Sequence, residues 1–290
     1  MCSKVISNKS EDTLPFHTHS LPKFVIRKCE EELNETPGKK AKAVLELRSM
    51  LKNNPETSEY NFHDDLLVLF LRRNKYRMRD AFQNVQNFVN IHRKESYLFK
   101  SVSDKYLDLP SCKGLVLLPK RCPDGCTIVR SQLGRWNPNE MPFEKLQSLF
   151  TILFLQLLRD PMTQINGFKI IHDFKGTSLQ HLKFCTFRNL HLLYHGAINC
   201  VPGRYKEIHL VNESFVMKTL WAIVKPFLSE KIRNRVIFHS KPEGLLHYFP
   251  RSVLPAEYGG TLLNNDTEDW IKIANKYHKE YTVEGQPNFY

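Results

Sequence analysis

The first part of the chain carries apolar residues at every third or fourth position. This spacing places apolar side chains on one face of a helix, and helices joined by short loops are typical of a small bundle. The segments with this pattern are residues 39–51, 61–71 and 78–97. The pattern changes after Pro110, and proline is a common boundary signal. We therefore predict an all-helical N-terminal domain over residues 23–110.

The second part of the chain alternates short β-rich runs with longer helical segments. Strands separated by helices imply crossover connections and a mainly parallel sheet. The β-rich runs are residues 127–130, 168–173, 207–211 and 235–239, and the helical segments are residues 143–159, 178–199 and 214–228. We predict an α/β domain over residues 111–262, with a disordered tail over residues 1–22. A C-terminal extension over residues 263–290 contains one predicted helix at 268–281.

Two of the helical segments are more apolar than a surface helix needs to be. Residues 143–159 are apolar nearly all round, so this helix must be covered on more than one side. In residues 214–228, a narrow polar stripe of Lys218, Ala222 and Lys225 leaves the remainder apolar. The pattern alone allows two interpretations, ordinary core packing and the wall of an apolar cavity.

The formal net charge of +12 indicates an anionic partner, either nucleic acid or a phospholipid surface. The aromatic residues follow helix and strand spacing and do not alternate with cations, so we expect no nucleic-acid binding. No run approaches the roughly 18 apolar residues that a membrane span needs, so any membrane contact is expected to be peripheral.

The cysteines and the motif search argue against disulfides, metals and catalysis. Seven cysteines, an odd count, without an apolar leader segment predict reduced thiols and a cytoplasmic protein. Cys112, Cys122 and Cys126 come nearest to a metal pattern, but no CxxC pair and no histidine at finger spacing accompany them. The sequence contains no GxSxG, P-loop, GxGxxG or HExxH motif, so we expect no enzyme and no cofactor.

Four segments occur in the order that is found in CRAL-TRIO lipid-binding proteins. They are residues 64–73, 166–176, 200–213 and 249–260, which contain DDLLVLFLRR, NGFKIIHDFKG, PGRYKEIHLVNE and FPRSVLPAEYGG. The chain resembles the branch of this family that contains the tocopherol-transfer and cellular retinaldehyde-binding proteins, over about residues 40–262. The resemblance implies that the sheet and its helices enclose a hydrophobic lipid pocket.

By this resemblance, one face of the strand at 168–174 points into the pocket. His172 is then a candidate polar anchor for a ligand hydroxyl or carbonyl, the alternative being a core histidine bonded to a backbone carbonyl. Phe150 and Phe154 stand where the tocopherol-transfer branch carries serines, which predicts a smaller or drier cavity. The predicted pocket residues are Phe150, Phe154, Phe168, Ile170, His172, Leu193, Val201, Ile208 and Leu210.

The resemblance also makes the helix at 214–228 a mobile lid over the ligand. An apolar lid suits this role, because it faces hydrocarbon when shut and can enter a bilayer when open. Asn212, at the end of the preceding strand, is a candidate N-cap for this helix. The predicted lid residues are Phe215, Val216, Leu220, Trp221, Ile223, Val224 and Phe227.

Two clusters of cations flank the predicted lid, and in the resembled family they form a groove for phosphoinositide head groups. Arginine makes bidentate contacts with phosphate and lysine offers a point charge, so the residue types suit this ligand. A fifth position, arginine in the family, is Asn74 here, with Arg72 and Arg73 beside it. A solvated basic face is the alternative. The predicted phosphoinositide-binding residues are Arg73, Arg204, Lys206, Lys231 and Arg235.

The combined interpretation is a monomeric cytoplasmic carrier of one hydrophobic ligand, resembling a retinoid, tocopherol or other lipid, that docks transiently on phosphoinositide-containing membranes. A regulatory module that senses lipid or phosphoinositide without transport is the alternative. The sequence does not identify the cargo.

Overall fold

The structure is a computed structural model that describes residues 21–263 and 269–281. The predicted disordered tail falls almost wholly on residues 1–20, outside the described residues, as does Cys2. The helices of the first part are α1 (Lys23–Glu31), α2 (Pro37–Lys52), α3 (Asp64–Arg73), α4 (Met78–Lys94) and the single turn α5 (Asp104–Leu107). Helix α2 begins where the Thr36 side chain accepts a hydrogen bond from the Lys39 amide, which satisfies one of the free donors at the helix start.

The second part contains five strands and seven further helices among the described residues. The strands are β1 (Leu115–Leu117), β2 (Thr127–Gln132), β3 (Phe168–Asp173), β4 (Tyr205–Val211) and β5 (Val236–His239). The helices are α6 (Phe143–Leu157), α7 (Pro161–Asn166), α8 (Leu179–Leu182), α9 (Phe187–His195), α10 (Phe215–Val224), α11 (Glu230–Arg233) and α12 (Asp269–Tyr281). This arrangement confirms the predicted fold class, an α/β unit preceded by helices.

The sheet has the order β1-β2-β3-β4-β5, with β1 antiparallel to β2 and every other pair parallel. Sequence reasoning missed β1, because three residues are too few to show an alternating pattern. Gly167 directly precedes β3 and has a φ of 87°. A β-carbon at this position would lie 2.3 Å from the Arg204 carbonyl oxygen. The close approach lets the Phe168 amide donate to that oxygen, which pairs the beginnings of β3 and β4.

Three predicted elements differ from the structure for local reasons. The segment predicted as one helix at 178–199 is divided into α8 and α9, because the Thr186 side chain accepts from the Asn189 amide and starts a new helix. Helix α10 ends at Val224, just before a short turn that contains Pro226. The prediction of Asn212 as its N-cap is wrong, since the Ser214 hydroxyl accepts from the Met217 amide.

One continuous apolar core joins the helical part to one face of the sheet. Its buried members come from α2, α3, α4, α6 and α12 as well as from β1, β2 and β3. A second, smaller core lies on the other face, beneath the turns that follow β5. The six cysteines among the described residues are free thiols. Within those residues, no group of side chains could hold a metal ion, and no helix is both long and apolar enough to cross a bilayer.

A buried ion pair ties α3 to the loop that precedes α2. The Arg72 guanidinium donates to both carboxylate oxygens of Glu35, over 2.8 and 2.7 Å. It also donates to the side chain of Gln164 on α7, so Arg72 connects the helical part to the second part of the chain. Although Arg72 lies beside Asn74 in the sequence, its buried guanidinium is held by these partners and does not belong to the exposed cations.

We expect Arg72→Met to lower the free energy of unfolding by about 3–5 kcal/mol, since it leaves the Glu35 carboxylate buried without its partner. Urea denaturation measures the change. The double variant Arg72→Met, Glu35→Leu removes both charges and should recover most of the loss. Equal destabilisation by the double variant would contradict the assigned role of the pair.

Candidate functional site

A cavity of about 350 Å³ lies between the sheet and the helices α6, α9 and α10. Two rows of side chains across the sheet form its floor, because parallel pairing aligns neighbouring strands. The first row is Val129, Ile170, Ile208 and Val236, and the second row is Ser131, His172, Leu210 and Phe238. All of these residues except Phe238 line the cavity.

The walls of the cavity are almost wholly apolar. Helix α6 contributes three phenylalanines, a leucine and a glutamine. Helix α9 and the turn after it contribute aliphatic residues and Tyr194, and α10 closes the remaining side. Within the described residues, no lysine or arginine lines this cavity. Its size and composition are those of a site for a small hydrophobic molecule.

The polar pair in the floor is Ser131 and His172. The Ser131 hydroxyl and His172 Nδ1 lie 2.5 Å apart, because the register of β2 and β3 places the two residues side by side. Burial lowers the pKa of His172 to about 4, so its ring is neutral at physiological pH. A neutral imidazole has one donor and one acceptor nitrogen, and with Ser131 it can bond a ligand hydroxyl or carbonyl.

Seven of the predicted pocket residues line this cavity, namely Phe150, Phe154, Ile170, His172, Leu193, Ile208 and Leu210. Phe168 does not, because it is fully buried beside Phe154, with ring centroids 4.9 Å apart. Val201 lines a smaller cavity of about 80 Å³ instead. Phe150 and Phe154 line both cavities and therefore separate them, so the two rings narrow the space without filling it.

Helix α10, the predicted lid, faces the cavity with Met217, Leu220, Trp221 and Val224. The Trp221 ring also packs on Phe238 of β5, with centroids 5.2 Å apart. The other predicted lid residues do not line the cavity; they are Phe215, Val216, Ile223 and Phe227.

The outer side of α10 and its surroundings expose large apolar side chains. Phe215 is 67% exposed and Phe227 is 43% exposed. Phe227 meets the ring of Phe187 on α9, which is also exposed, edge-on with centroids 5.3 Å apart. Within α10 only Val216 and Met217 are buried. A helix with apolar residues on both sides and so little burial is weakly held to the remainder of the protein.

Two of the five predicted phosphate-binding cations, Arg204 and Lys206, share an acidic neighbour, and the charge of Arg204 also helps to lower the pKa of Arg73. Arg204 is buried, donates to the Ile165 carbonyl and lies 3.6 Å from the Glu32 carboxylate. Lys206 lies 3.2 Å from the same carboxylate. Glu32, directly after α1, therefore offsets one of the two positive charges of this pair, a contact that no sequence pattern indicated.

The other three cations belong to a group that we call the basic cluster, formed by Arg73, Lys75, Arg77, Lys231 and Arg235. The pKa of Lys231 is lowered by burial and by the charges of Arg235, Arg73, Arg77 and Lys75. The charges of these four residues therefore act on Lys231. Of the five, only Arg77 forms an ion pair with a carboxylate in the described residues.

Arg73 and Arg235 are anchored within the basic cluster, whereas Lys75 and Lys231 are exposed. Arg73 donates to the Ile198 carbonyl over 2.8 Å, and Arg235 donates to the Tyr205 carbonyl. Like charges held together in this way attract an anion with several negative charges.

Asn74 has a structural position and does not belong to the basic cluster. It ends α3, and its side-chain amide donates to the Phe70 carbonyl and to the Asn84 side chain, over 2.9 Å in each case. Sequence reasoning missed Lys75 and Arg77, which lie in the turn after α3, where Lys75 and Tyr76 have positive φ angles. The KYR tripeptide, one residue after the FLRR segment, is the signal that could have found them.

A parallel sheet that forms the floor of an apolar cavity, with a helix closing it, defines a class of proteins that enclose hydrophobic molecules. Residues 112–260 match the CRAL/TRIO domain. The chain is 33% identical to a human protein named alpha-tocopherol transfer protein-like, over 97% of this chain and 85% of that protein. It is also 27% identical to rat clavesin-1, over 85% of this chain and 71% of clavesin-1, and 26% identical to mouse clavesin-2, over 89% and 82%. The chain belongs to the CRAL/TRIO family of lipid-binding proteins, which confirms the predicted resemblance.

We expect the buried His172 to make the protein less stable as the pH falls from 6.5 towards 4. The pKa of His172 is about 4 in the folded protein and about 6.5 in an unfolded chain, so only the unfolded chain takes up this proton within that window. The contribution is at most about 1.4 kcal/mol per pH unit.

Urea denaturation at pH 7 and pH 5 measures this dependence. His172→Gln should reduce the difference between the two pH values, and His63→Gln, at an exposed position, should leave it unchanged. An unchanged difference in His172→Gln would show that the ring is protonated in the folded protein.

Proposed function

We propose that this protein is a carrier that binds one small hydrophobic molecule in the cavity beneath α10. In this proposal α10 is a mobile lid, and the protein is a cytoplasmic monomer that docks transiently on phosphoinositide-containing membranes to load or release its cargo. The cargo resembles a retinoid, a tocopherol or another lipid and undergoes no reaction. The observation that carries the proposal is the apolar cavity that α10 closes.

The energetics of α10 support its role as a lid. Burying one of its large apolar side chains contributes roughly 1.5–3 kcal/mol. Met217, Leu220, Trp221 and Val224 contact cargo in the closed state, and the same side chains can contact lipid in an open state. Because the two environments stabilise the helix similarly, a change from one to the other can occur at a membrane surface without a large penalty.

The exposed aromatic residues around α10 support contact with a bilayer. Phe187, Phe215 and Phe227 lie on the outer side, where they are exposed to water. Exposed apolar groups of this kind commonly mark interaction sites. A bilayer interface buries such side chains, so docking would bring α10 to the lipid into which the cargo must pass.

The basic cluster supports a preference for phosphoinositides among anionic lipids. A bisphosphorylated inositol head group carries several negative charges on a small ring, and five cations from α3, α11 and the residues around them lie together. A phosphoinositide bound there could favour lid opening only if it binds the open state more tightly than the closed state. Arg204 and Lys206 join the site only if Glu32 releases them.

The two sides of α10 should affect cargo differently. Trp221→Ala removes a ring that lines the cavity and packs on Phe238, so we expect faster release of a bound fluorescent lipid in solution. Phe215→Ala removes an exposed ring outside the cavity, so it should leave release in solution unchanged and slow transfer to acceptor vesicles.

Stopped-flow measurements of the fluorescent lipid, with and without acceptor vesicles, separate the two effects. Wild-type protein that binds the lipid but moves none of it between vesicles would favour a sensing module over a carrier. Equal effects of the two substitutions on release in solution would contradict the assignment of the two sides.

The basic cluster should control docking through its exposed members. We expect Lys75→Glu, Lys231→Glu to weaken binding to vesicles containing phosphatidylinositol bisphosphate by roughly tenfold or more, because two attractive charges become repulsive. Lys42→Glu, Lys52→Glu makes the same two charge reversals at exposed positions of α2, outside the group that acts on Lys231, and serves as the matched control. Vesicle co-sedimentation measures the change in binding. An equal loss of binding in both variants would show that net charge alone, and not the basic cluster, determines docking.

A further inference from the structure

Gln147 is a buried polar residue in the wall of the cavity. It lies on α6, is only 3% exposed and lines both the large and the small cavity. Its side-chain oxygen accepts a hydrogen bond from the Tyr97 hydroxyl over 2.9 Å. Its side-chain nitrogen Nε2 is buried and has no hydrogen-bond partner among the residues that the structure describes.

The contact with Tyr97 fixes the orientation of the Gln147 amide. The oxygen faces Tyr97, in the turn after α4, so Nε2 is directed away from that turn. The Thr151 hydroxyl donates to the Gln147 backbone carbonyl over 3.0 Å, which leaves the side chain unaffected. A buried donor without a partner costs about 1–3 kcal/mol, and the apolar neighbours of Gln147 on the cavity wall offer no acceptor.

Gln147 therefore gives the cavity a polar point on the α6 wall, separate from the Ser131–His172 pair in the sheet floor. We propose that Gln147 Nε2 donates a hydrogen bond to an acceptor oxygen of the cargo. This inference rests on the proposed carrier function and narrows its cargo to lipids with a carbonyl, ester or ether oxygen that reaches α6. Hydrocarbons of the same shape should then bind more weakly, because they leave Gln147 Nε2 without an acceptor.

The same wall argues that the acceptor is uncharged. Within the described residues, neither lysine nor arginine lines the cavity. The carboxylate of Asp173 does line it and would repel an anion. A carboxylate ligand would be buried without a cation, which is costly. The expected cargo is a neutral, oxygenated lipid, and fatty-acid anions are excluded.

Matched probes that differ only in the oxygen test this inference. Retinaldehyde and axerophthene, its hydrocarbon counterpart, form one pair, read through quenching of Trp136 and Trp221, which both line the cavity. A long-chain methyl ketone and the alkane of equal length form a second pair, read as competitors of a bound fluorescent lipid. Wild-type protein should prefer the oxygenated member of a pair that it binds by roughly tenfold, the value of one hydrogen bond to an otherwise unpaired donor.

Gln147→Met keeps the length of the side chain and removes the amide. It should reduce the preference for the oxygenated probe at least several-fold, while leaving hydrocarbon binding equal or tighter. Leu146→Met, at the neighbouring cavity position, is the control and should keep the wild-type preference.

The outcomes distinguish the inference from the function on which it rests. An unchanged preference in Gln147→Met would overturn the role of Gln147 while leaving the carrier function in place. Wild-type protein that takes up no member of either pair and no fluorescent lipid would contradict the carrier function itself. Tighter binding of a fatty-acid anion than of the ketone would overturn the assignment of a neutral cargo.

Discussion

The parallel register of β2 to β5 is the constraint on which the remainder of the structure depends. It aligns Val129, Ile170, Ile208 and Val236 in one row and places Ser131 beside His172 in the next. An apolar floor of this width must be covered, and α6, α9 and α10 cover it at a distance that leaves about 350 Å³ between them. The same register places the polar pair Ser131 and His172 in the floor. The register therefore determines both the shape of the floor and the position of its polar groups. The opposite face of the sheet packs on a second, smaller apolar core.

Some cations of this protein are paired with carboxylates, whereas others lie together without an acidic partner in the part of the chain that the structure describes. Arg72 is buried and uses its donors on Glu35 and Gln164, whereas its neighbour Arg73 contributes to the basic cluster. Glu32 lies beside both Arg204 and Lys206 and offsets one of their two positive charges, so this pair attracts an anion less strongly than a count of cations along the sequence would indicate. In the proposed function, the basic cluster and the exposed aromatics around α10 supply the charged and the apolar contacts with a membrane.

Much of this architecture follows from the sequence, because long periodic segments determine their own structure. β3 is predicted at its observed bounds, and a cavity wall is one of the two interpretations that the apolar pattern of α6 and α10 allows. Other features depend on contacts between distant residues and leave no local pattern. The division of α8 from α9 depends on the Thr186 cap, the exclusion of Phe168 from the cavity depends on its neighbour Phe154, and the pairing of Lys206 with Glu32 joins residues far apart in the chain. The role of Gln147 could not be predicted from the sequence for the same reason. The contact with Tyr97, which orients the Gln147 amide, joins residues that are far apart in the chain.

The central claim is that the cavity beneath α10 holds one lipid, and the most direct measurement is the intact mass of the protein after gentle isolation from its native cells. The mass should be recorded under non-denaturing conditions, and any bound molecule should then be extracted and identified. The account predicts one neutral, oxygenated lipid per chain, released when the protein is denatured. Protein that is isolated empty, and that afterwards takes up no lipophilic probe, would contradict it.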